Sequence, residues 1–183
     1  MTCALSLSTG NEPCLVVAFC GLPGAGKSRL ATGLAHYTGW RHLDRDRIRA
    51  QSFPDGRTDS EAKRIVERQM REQMARALSE GGSVILDGMT LVRRGVREEW
   101  SMACIRAGGH WLPVYVECPL ELAIERVRRD SEHPAGDRDP ALVRRVARTL
   151  EPPDSGEGAL RVDGRAPPDP DILHQSLIVQ SRV

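Results

Sequence analysis

One eight-residue segment near the start of the chain restricts the fold more than any other feature. Residues 21–28 read Gly-Leu-Pro-Gly-Ala-Gly-Lys-Ser, which satisfies the phosphate-binding pattern G-x-x-x-x-G-K-[ST]. Glycines let the backbone turn so that successive N–H groups face phosphate oxygens, while Lys27 can reach the β- and γ-phosphates and the Ser28 hydroxyl can hold Mg²⁺. We therefore predict binding of a nucleoside triphosphate with Mg²⁺, and the predicted binding residues are Gly21, Leu22, Pro23, Gly24, Ala25, Gly26, Lys27, Ser28 and Arg29.

The sequence on both sides of this segment has the pattern that such a loop requires. Residues 14–20 form a short apolar run typical of a buried strand. After the loop, apolar residues recur at helical spacing as far as Gly39, a residue type that commonly ends helices. A strand, a glycine loop and a helix in this order favour a phosphate-binding loop over a chance glycine turn. The helical positions are Leu30, Ala31, Leu34 and Ala35.

The composition is that of an ordinary globular domain. The chain has 183 residues, of which 40% are hydrophobic and 28% charged, and its 26 Lys and Arg nearly balance its 25 Asp and Glu. No excess charge therefore draws it to nucleic acid or to a membrane, and no apolar run has membrane-spanning length. The five cysteines form no C-x-x-C pair, which favours a reducing, cytoplasmic compartment without a zinc site. We expect a flexible tail over residues 1–13 and one domain over residues 14–183.

Five apolar runs alternate with helical patterns along the chain. Such alternation predicts a parallel sheet with helices on both faces. We therefore expect an α/β fold of the P-loop NTPase type, a three-layer sandwich with about five parallel strands. The predicted strands are residues 14–20, 40–44, 83–87, 111–117 and 159–163.

Two local features refine the predicted boundaries. Thr58 and Glu61 have capping-box spacing, which predicts that Thr58 caps the helix that follows. Pro113 lacks a backbone N–H, so we expect it at an irregular start of the fourth strand and not in the middle of the sheet.

Acidic residues follow two of the predicted strands. Asp44 and Asp46 come at the end of the second strand, and Asp87 ends the third. Ligands of parallel sheets bind at the carboxyl ends of the strands, where the phosphate-binding loop also lies. We therefore expect the three carboxylates to meet the triphosphate, with Asp44 and Asp87 near the substrate. Asp87 could bind Mg²⁺ through water or hold the acceptor, or it could be a plain turn acid, since Asp-Gly is a common turn dipeptide.

Asp46 is the residue that we expect to accept a proton from an acceptor hydroxyl. An ionised carboxylate can do so at hydrogen-bond distance. Asp46 could instead only cap a helix that begins at Arg47, because Asp is a favoured N-cap. Asp44 is an alternative base, or a group that holds Mg²⁺ through water. Ser28 and Asp46 are the predicted Mg²⁺ ligands, directly or through water.

With these residues identified, the chain resembles a group of small P-loop kinases over about residues 14–180. The group includes polynucleotide 5′-hydroxyl kinase, zeta toxins, chloramphenicol phosphotransferase and gluconate kinase. Residues 44–49 are similar to a segment of phage-type polynucleotide kinases that carries a catalytic Asp and, three residues on, an Arg that binds the acceptor; the resemblance gives these roles to Asp46 and Arg49. In polynucleotide kinases an Asp stands one place after the position of Asp87, where this chain has Gly88.

The resemblance also implies a lid over about residues 128–145. Arg126 and Arg129 lie three residues apart on one helical face and are expected to stabilise charge on the transferred phosphate, with Arg138 as a third candidate. A solvated basic helix end is the alternative. Three further arginines begin the helix after the third strand, where Arg93 in particular is predicted to contact the substrate; they are Arg93, Arg94 and Arg97.

The function expected from these features is ATP-dependent transfer of phosphate to a hydroxyl of a small molecule. Polynucleotide 5′-hydroxyl kinase is a second possibility, but aromatic residues, which stack on bases, make up only 4% of the chain. A non-catalytic NTP-binding regulatory or toxin-like module is a third. The guanine-reading pattern N-K-x-D does not occur, which favours ATP over GTP. The sequence carries no indication of the oligomeric state.

Overall fold

The structure is a computed structural model that describes residues 13–130 and 139–182. The predicted N-terminal tail therefore lies almost wholly outside the described residues. So do Arg138 and the central part of the predicted lid. Within the described ranges, no helix combines the length and the apolar character that crossing a membrane requires.

The described residues form five strands and seven α-helices that alternate along the chain. The strands make one sheet in the order β2-β3-β1-β4-β5, and every neighbouring pair is parallel. The predicted α/β fold with five parallel strands is thus confirmed. The strands are β1 (Leu15–Cys20), β2 (Arg41–Asp44), β3 (Val84–Asp87), β4 (His110–Glu117) and β5 (Leu160–Asp163). The helices are α1 (Lys27–Thr38), α2 (Arg45–Ser52), α3 (Ser60–Ser79), α4 (Arg94–Arg106), α5 (Leu120–Arg129), α6 (Pro140–Ala147) and α7 (Pro170–Gln180), with a 3₁₀ turn at Ser155–Glu157.

The central strand β1 divides the core into two layers. All six of its residues are buried, and its side chains alternate between the faces of the sheet. Val17 and Phe19 pack in a cluster with apolar residues of α1, α5, α6 and α7. Val16 and Ala18 pack in a second cluster with residues of α2, α3 and α4. Helices therefore cover both faces, and the loop at residues 21–28 leaves the carboxyl edge at the middle of the sheet.

Pro113 corrects the predicted start of the fourth strand. Strand β4 begins at His110 and runs through Pro113, which is in register with Ala18 of β1. Pairing of β4 with β5 starts only at Val114. At the level of Pro113 the side of β4 toward β5 is thus still unpaired, so a missing N–H is tolerated there. The prediction of an irregular start was wrong because proline is compatible with a strand flank that makes no ladder hydrogen bond.

The cap of α3 is also shifted by one residue from its predicted position. The helix begins at Ser60, and the Asp59 carboxylate accepts hydrogen bonds from the backbone N–H groups of Glu61 and Ala62 at 3.0 and 3.1 Å. Thr58 is therefore not the N-cap. The capping-box pattern matched Thr58, but the adjacent Asp59 is an equally good N-cap and lies at the residue where the helix begins.

Candidate active site

Two glycines allow residues 21–28, hereafter the P-loop, to pack directly on other elements. Gly21 has φ +134°, and a Cβ there would lie 2.6 Å from the carbonyl oxygen of Val116. Gly24 has φ +82°, and a Cβ there would overlap the carbonyl oxygen of Ala123. A side chain is thus excluded at both positions by φ and by space. The loop curls tightly against β4 and α5 and leads into α1, whose first N–H groups have no partner within the helix and can bind phosphate oxygens.

Lys27 is buried at the start of α1. Its ammonium donates hydrogen bonds to the carbonyl oxygens of Gly21 and Leu22 at 2.9 and 2.8 Å. These contacts hold the positive charge within the curve of the P-loop. The charge and the helix N-terminus together favour a polyphosphate at this position.

The Ser28 hydroxyl is coupled to a buried carboxylate. It donates a hydrogen bond to Asp87 Oδ1 at 3.0 Å, and His42 Nε2 lies 3.3 Å from Asp87 Oδ2. Asp87 is only 1% exposed, and this burial raises its pKa. Hydrogen bonds from His42, the N–H of Gly88 and Ser28 together lower the pKa by more than burial raises it, so the pKa of Asp87 lies below its usual value. His42 was missed in the sequence, where its only signal was a position in β2 two residues before Asp44.

These two oxygen ligands fit a magnesium ion that also binds phosphate. Mg²⁺ prefers oxygen and is commonly held by one or two protein side chains plus substrate phosphates and water. Within residues 13–130 and 139–182, no group of three or more His, Cys, Asp or Glu side chains could hold a metal ion. The predicted ligands were Ser28 and Asp46, but the carboxylate that contacts Ser28 is Asp87.

Asp44, and not Asp46, caps the helix that follows β2. Helix α2 begins at Arg45, and Asp44 Oδ1 accepts hydrogen bonds from the N–H groups of Asp46 at 2.9 Å and Arg47 at 3.4 Å. The alternative that Asp46 caps a helix beginning at Arg47 was therefore wrong. Because Asp44 takes the capping role, the Asp46 carboxylate is available for another function.

Replacing Asp44 by alanine should lower the free energy of unfolding by about 1 kcal/mol, the usual cost of removing an N-cap. Urea denaturation followed by circular dichroism would measure it. Thr58→Ala is the control and should change stability by less than about 0.5 kcal/mol, because Thr58 is exposed and does not cap α3. Equal effects of the two variants would contradict this assignment of the caps.

Asp46 is held by two arginines of its own helix. Its side chain is 12% exposed, and Oδ1 lies 3.2 Å from Arg49 and 3.7 Å from Arg45. Oδ1 is buried, and no well-aligned hydrogen bond from the described residues reaches it. Since buried polar atoms are usually hydrogen-bonded, this oxygen has capacity to accept a proton or a hydrogen bond from a ligand.

One cleft of about 330 Å³ brings several of the predicted residues together. It is lined by the P-loop, the start of α2, the loop after β3, and single faces of α3 and α6. Lys27, Ser28, Asp46 and Arg49 line this cleft, and Asp87 lies directly behind Ser28. Three basic residues that the sequence analysis did not single out also line it, namely Arg45, Lys63 and Arg145.

The remaining predicted arginines lie elsewhere. Arg126 is in α5 and donates to the carbonyl oxygens of Gly164 at 2.9 Å and Ala25 at 3.4 Å, so it contacts the P-loop backbone. Arg129 is 79% exposed and pairs with Glu125 on the same helix. Neither Arg129 nor the exposed Arg93 lines the cleft.

Comparison with known proteins connects this geometry to a family. The sequence matches the model of a family described as AAA domain, AAA_33, over residues 16–153. A comparison with curated protein sequences gave no match.

Several solved structures with the same fold are named as kinases. They include a protein from Chloroflexus aurantiacus assigned as a kinase, with a TM-score of 0.74 and 20% identity over 93% of this chain and 99% of that one. A gluconokinase from Sinorhizobium meliloti has a TM-score of 0.62 and 20% identity, over 93% of both chains. The APS kinase of Mycobacterium tuberculosis, in complex with AMPPNP and APS, has a TM-score of 0.61 and 19% identity over 94% of this chain and 100% of that one. The chain therefore belongs to the AAA domain family AAA_33 and has the fold of the P-loop kinases.

Proposed function

We propose that this protein is a kinase that transfers the γ-phosphate of ATP, with Mg²⁺, to a hydroxyl group of a small-molecule acceptor. The observation that carries this proposal is that Asp46 lines the same cleft as Lys27 and Ser28 of the P-loop. A carboxylate opposite a phosphate-binding loop is what activation of a hydroxyl nucleophile requires. The names of the structural neighbours, among them a gluconokinase and an APS kinase, support this reaction type.

In this reaction each part of the cleft has a separate task. The N–H groups at the start of α1 and the Lys27 ammonium bind the phosphates. Ser28 and Asp87 would hold Mg²⁺, and the ion would neutralise part of the phosphate charge. Asp46 accepts the proton of the acceptor hydroxyl while the hydroxyl oxygen bonds to the γ-phosphorus. The bond from that phosphorus to its bridging oxygen breaks, and ADP leaves. The two arginines that contact Asp46 keep its carboxylate oriented.

The size and lining of the cleft favour a small acceptor over a polynucleotide. A volume of about 330 Å³ is in the range of small-molecule pockets. Among the described residues, no aromatic side chain lines the cleft, so it offers no platform on which a base could stack.

A reducing, cytoplasmic compartment is part of the same proposal. The four cysteines that lie in the described residues are free thiols, as expected of a protein that is not exposed to an oxidising environment. Burial raises the pKa of three of them, Cys20 to about 11, Cys104 to about 12 and Cys118 above its usual value, so these thiols remain protonated at neutral pH.

Transfer of labelled phosphate tests the proposed reaction. The protein would be incubated with γ-labelled ATP, Mg²⁺ and separate pools of sugars, sugar acids, other hydroxylated metabolites and 5′-hydroxyl oligonucleotides. We expect label in a small-molecule pool, with turnover reduced about 10²-fold in Lys27→Met, because one preorganised donor to the transferred phosphate is lost. Label only in oligonucleotides would assign a polynucleotide kinase. Binding of ATP without transfer to any pool would assign a non-catalytic module.

A further inference from the structure

Two basic side chains of the cleft are not used by the proposed chemistry. Lys63 extends from α3 and Arg145 from α6, and both line the cleft that contains Asp46. No ion pair connects either side chain to a carboxylate anywhere in residues 13–130 or 139–182. Among the described residues, the two charges therefore have no acidic partner at the cleft.

Neighbouring basic residues provide the contrast. Arg144, next to Arg145 on α6, pairs with Glu121 of α5 at 3.6 Å. Arg45 and Arg49 both contact Asp46. Three arginines near the cleft thus each lie within reach of a carboxylate, whereas the described residues provide none for Lys63 or Arg145.

The packing of each helix fixes where these two side chains lie. On α3, Ala62 and Val66 are buried, so Lys63 lies beside the buried stripe of that helix. On α6, Val143 is buried in the core cluster that includes α5, which leaves Arg145 on a different face of the helix. Both side chains are thus borne on packed helices and not on loops.

A charge count indicates what the ligand must supply. Five cationic side chains line the cleft, whereas Asp46 is the one carboxylate among its lining residues. Lys27 would contact the phosphates of the nucleotide, and Asp46 contacts both Arg45 and Arg49 but offsets only one of their two charges. A neutral acceptor that filled the cleft would remove water from Lys63 and Arg145 without replacing its interactions, which is unfavourable. An anionic group on the acceptor would supply charge-assisted hydrogen bonds to both.

We propose that the acceptor is a small hydroxylated anion whose carboxylate, sulfate or phosphate group binds between Lys63 and Arg145, while its hydroxyl faces Asp46. This inference rests on the proposed kinase function, because only that function makes the bound anion a phosphate acceptor. The anion-binding subsite itself is a property of the cleft and can be tested without catalysis.

Matched acceptors test the substrate class. Each hydroxylated carboxylate would be compared with its neutral amide or methyl ester in steady-state kinetics. We expect kcat/KM to be about 100-fold higher for the anion, and Lys63→Met and Arg145→Met each to raise the KM for the anion about 10-fold with the KM for ATP unchanged. The controls are Arg64→Met and Arg144→Met, which remove the same charge one residue away from the cleft lining. Equal use of neutral and anionic acceptors, or transfer only to oligonucleotides, would overturn the inference.

Anion binding gives a readout that does not depend on turnover. With the nucleotide site filled by AMPPNP and Mg²⁺, inorganic sulfate would be titrated by calorimetry. We expect binding that weakens at least 10-fold in Lys63→Met and Arg145→Met and is unchanged in the two controls. Sulfate binding that is absent, or insensitive to both variants, would overturn the subsite. If the subsite is found but no acceptor is phosphorylated, the kinase proposal fails and the anion subsite stands.

Discussion

Replacing Asp46 by asparagine is expected to lower kcat for phosphate transfer by about 10³-fold, while the affinity for ATP stays within about twofold. The amide has nearly the shape of the carboxylate and keeps an oxygen near Arg49, which lies 3.2 Å from Asp46 Oδ1. It cannot take up the proton of the acceptor hydroxyl, and loss of a general base typically costs between about 10² and 10⁴ in rate. Binding of the triphosphate depends on the P-loop and α1, which the substitution leaves intact.

Single-turnover kinetics with labelled ATP would measure the chemical step, and calorimetry with AMPPNP would measure binding. The matched control is Asp171→Asn, which makes the same change at an exposed position in the first turn of α7 and should leave both quantities unchanged. A rate for Asp46→Asn within tenfold of the wild-type rate would show that another group accepts the proton. Asp87 would then be the next candidate, since it is the other carboxylate beside the P-loop.

The strand before residues 21–28 and the helix after them follow from local sequence and were predicted correctly. The P-loop, the strand before it and the helix after it depend on residues within about 25 positions of one another. The five-stranded parallel sheet follows from the alternation of apolar runs. For the same reason Asp44, Asp46 and Asp87 could be assigned to one sheet edge before the structure was known.

The features that could not be predicted depend on the exact residue at which a helix begins, or on packing between elements that are far apart in the sequence. The choice between Asp44 and Asp46 as the cap of α2 turned on a start one or two residues earlier than expected, and helix ends are the least certain part of any sequence analysis. Lys63 and Arg145 are separated by about 80 residues and line one cleft only because α3 and α6 both border it. Their sequence neighbours are also basic, so nothing local distinguishes them.

The loop after β3 is held by a buried ion pair that no local pattern predicted. Arg97 of α4 is 1% exposed and makes two contacts with the carboxylate of Glu157, at 2.5 and 2.7 Å. It also donates to the carbonyl oxygen of Leu91 at 2.9 Å. Leu91 has φ +47°, a left-handed conformation that a leucine adopts only under constraint. The adjacent Thr90 accepts a hydrogen bond from the N–H of Gly21 at 3.0 Å, which connects this loop to the P-loop.

Replacing Arg97 by methionine is therefore expected to lower the free energy of unfolding by about 3–5 kcal/mol, because it leaves the carboxylate of Glu157, which is 11% exposed, without its partner. The double variant Arg97→Met/Glu157→Gln should lose less free energy of unfolding than the two single variants lose together, since no uncompensated charge remains in it. Urea denaturation would measure this cycle. The control is Arg76→Met, which breaks an exposed pair with Glu80 and should cost less than about 1 kcal/mol.

The same substitution should weaken nucleotide binding, and this distinguishes a positioning role from a purely stabilising one. Without Arg97, Leu91 loses a contact that favours its left-handed conformation, and the hydrogen bond that the Gly21 N–H donates to the carbonyl oxygen of Thr90 loses its support. We expect the affinity for AMPPNP to fall at least about fivefold in Arg97→Met under conditions where the variant is folded, and to be unchanged in Arg76→Met. If Arg97→Met is destabilised but binds AMPPNP like the wild type, the ion pair only stabilises the fold. The P-loop would then hold its shape through its other contacts, which include the packing of its glycines on β4 and α5 and the hydrogen bonds of Lys27 to the loop backbone.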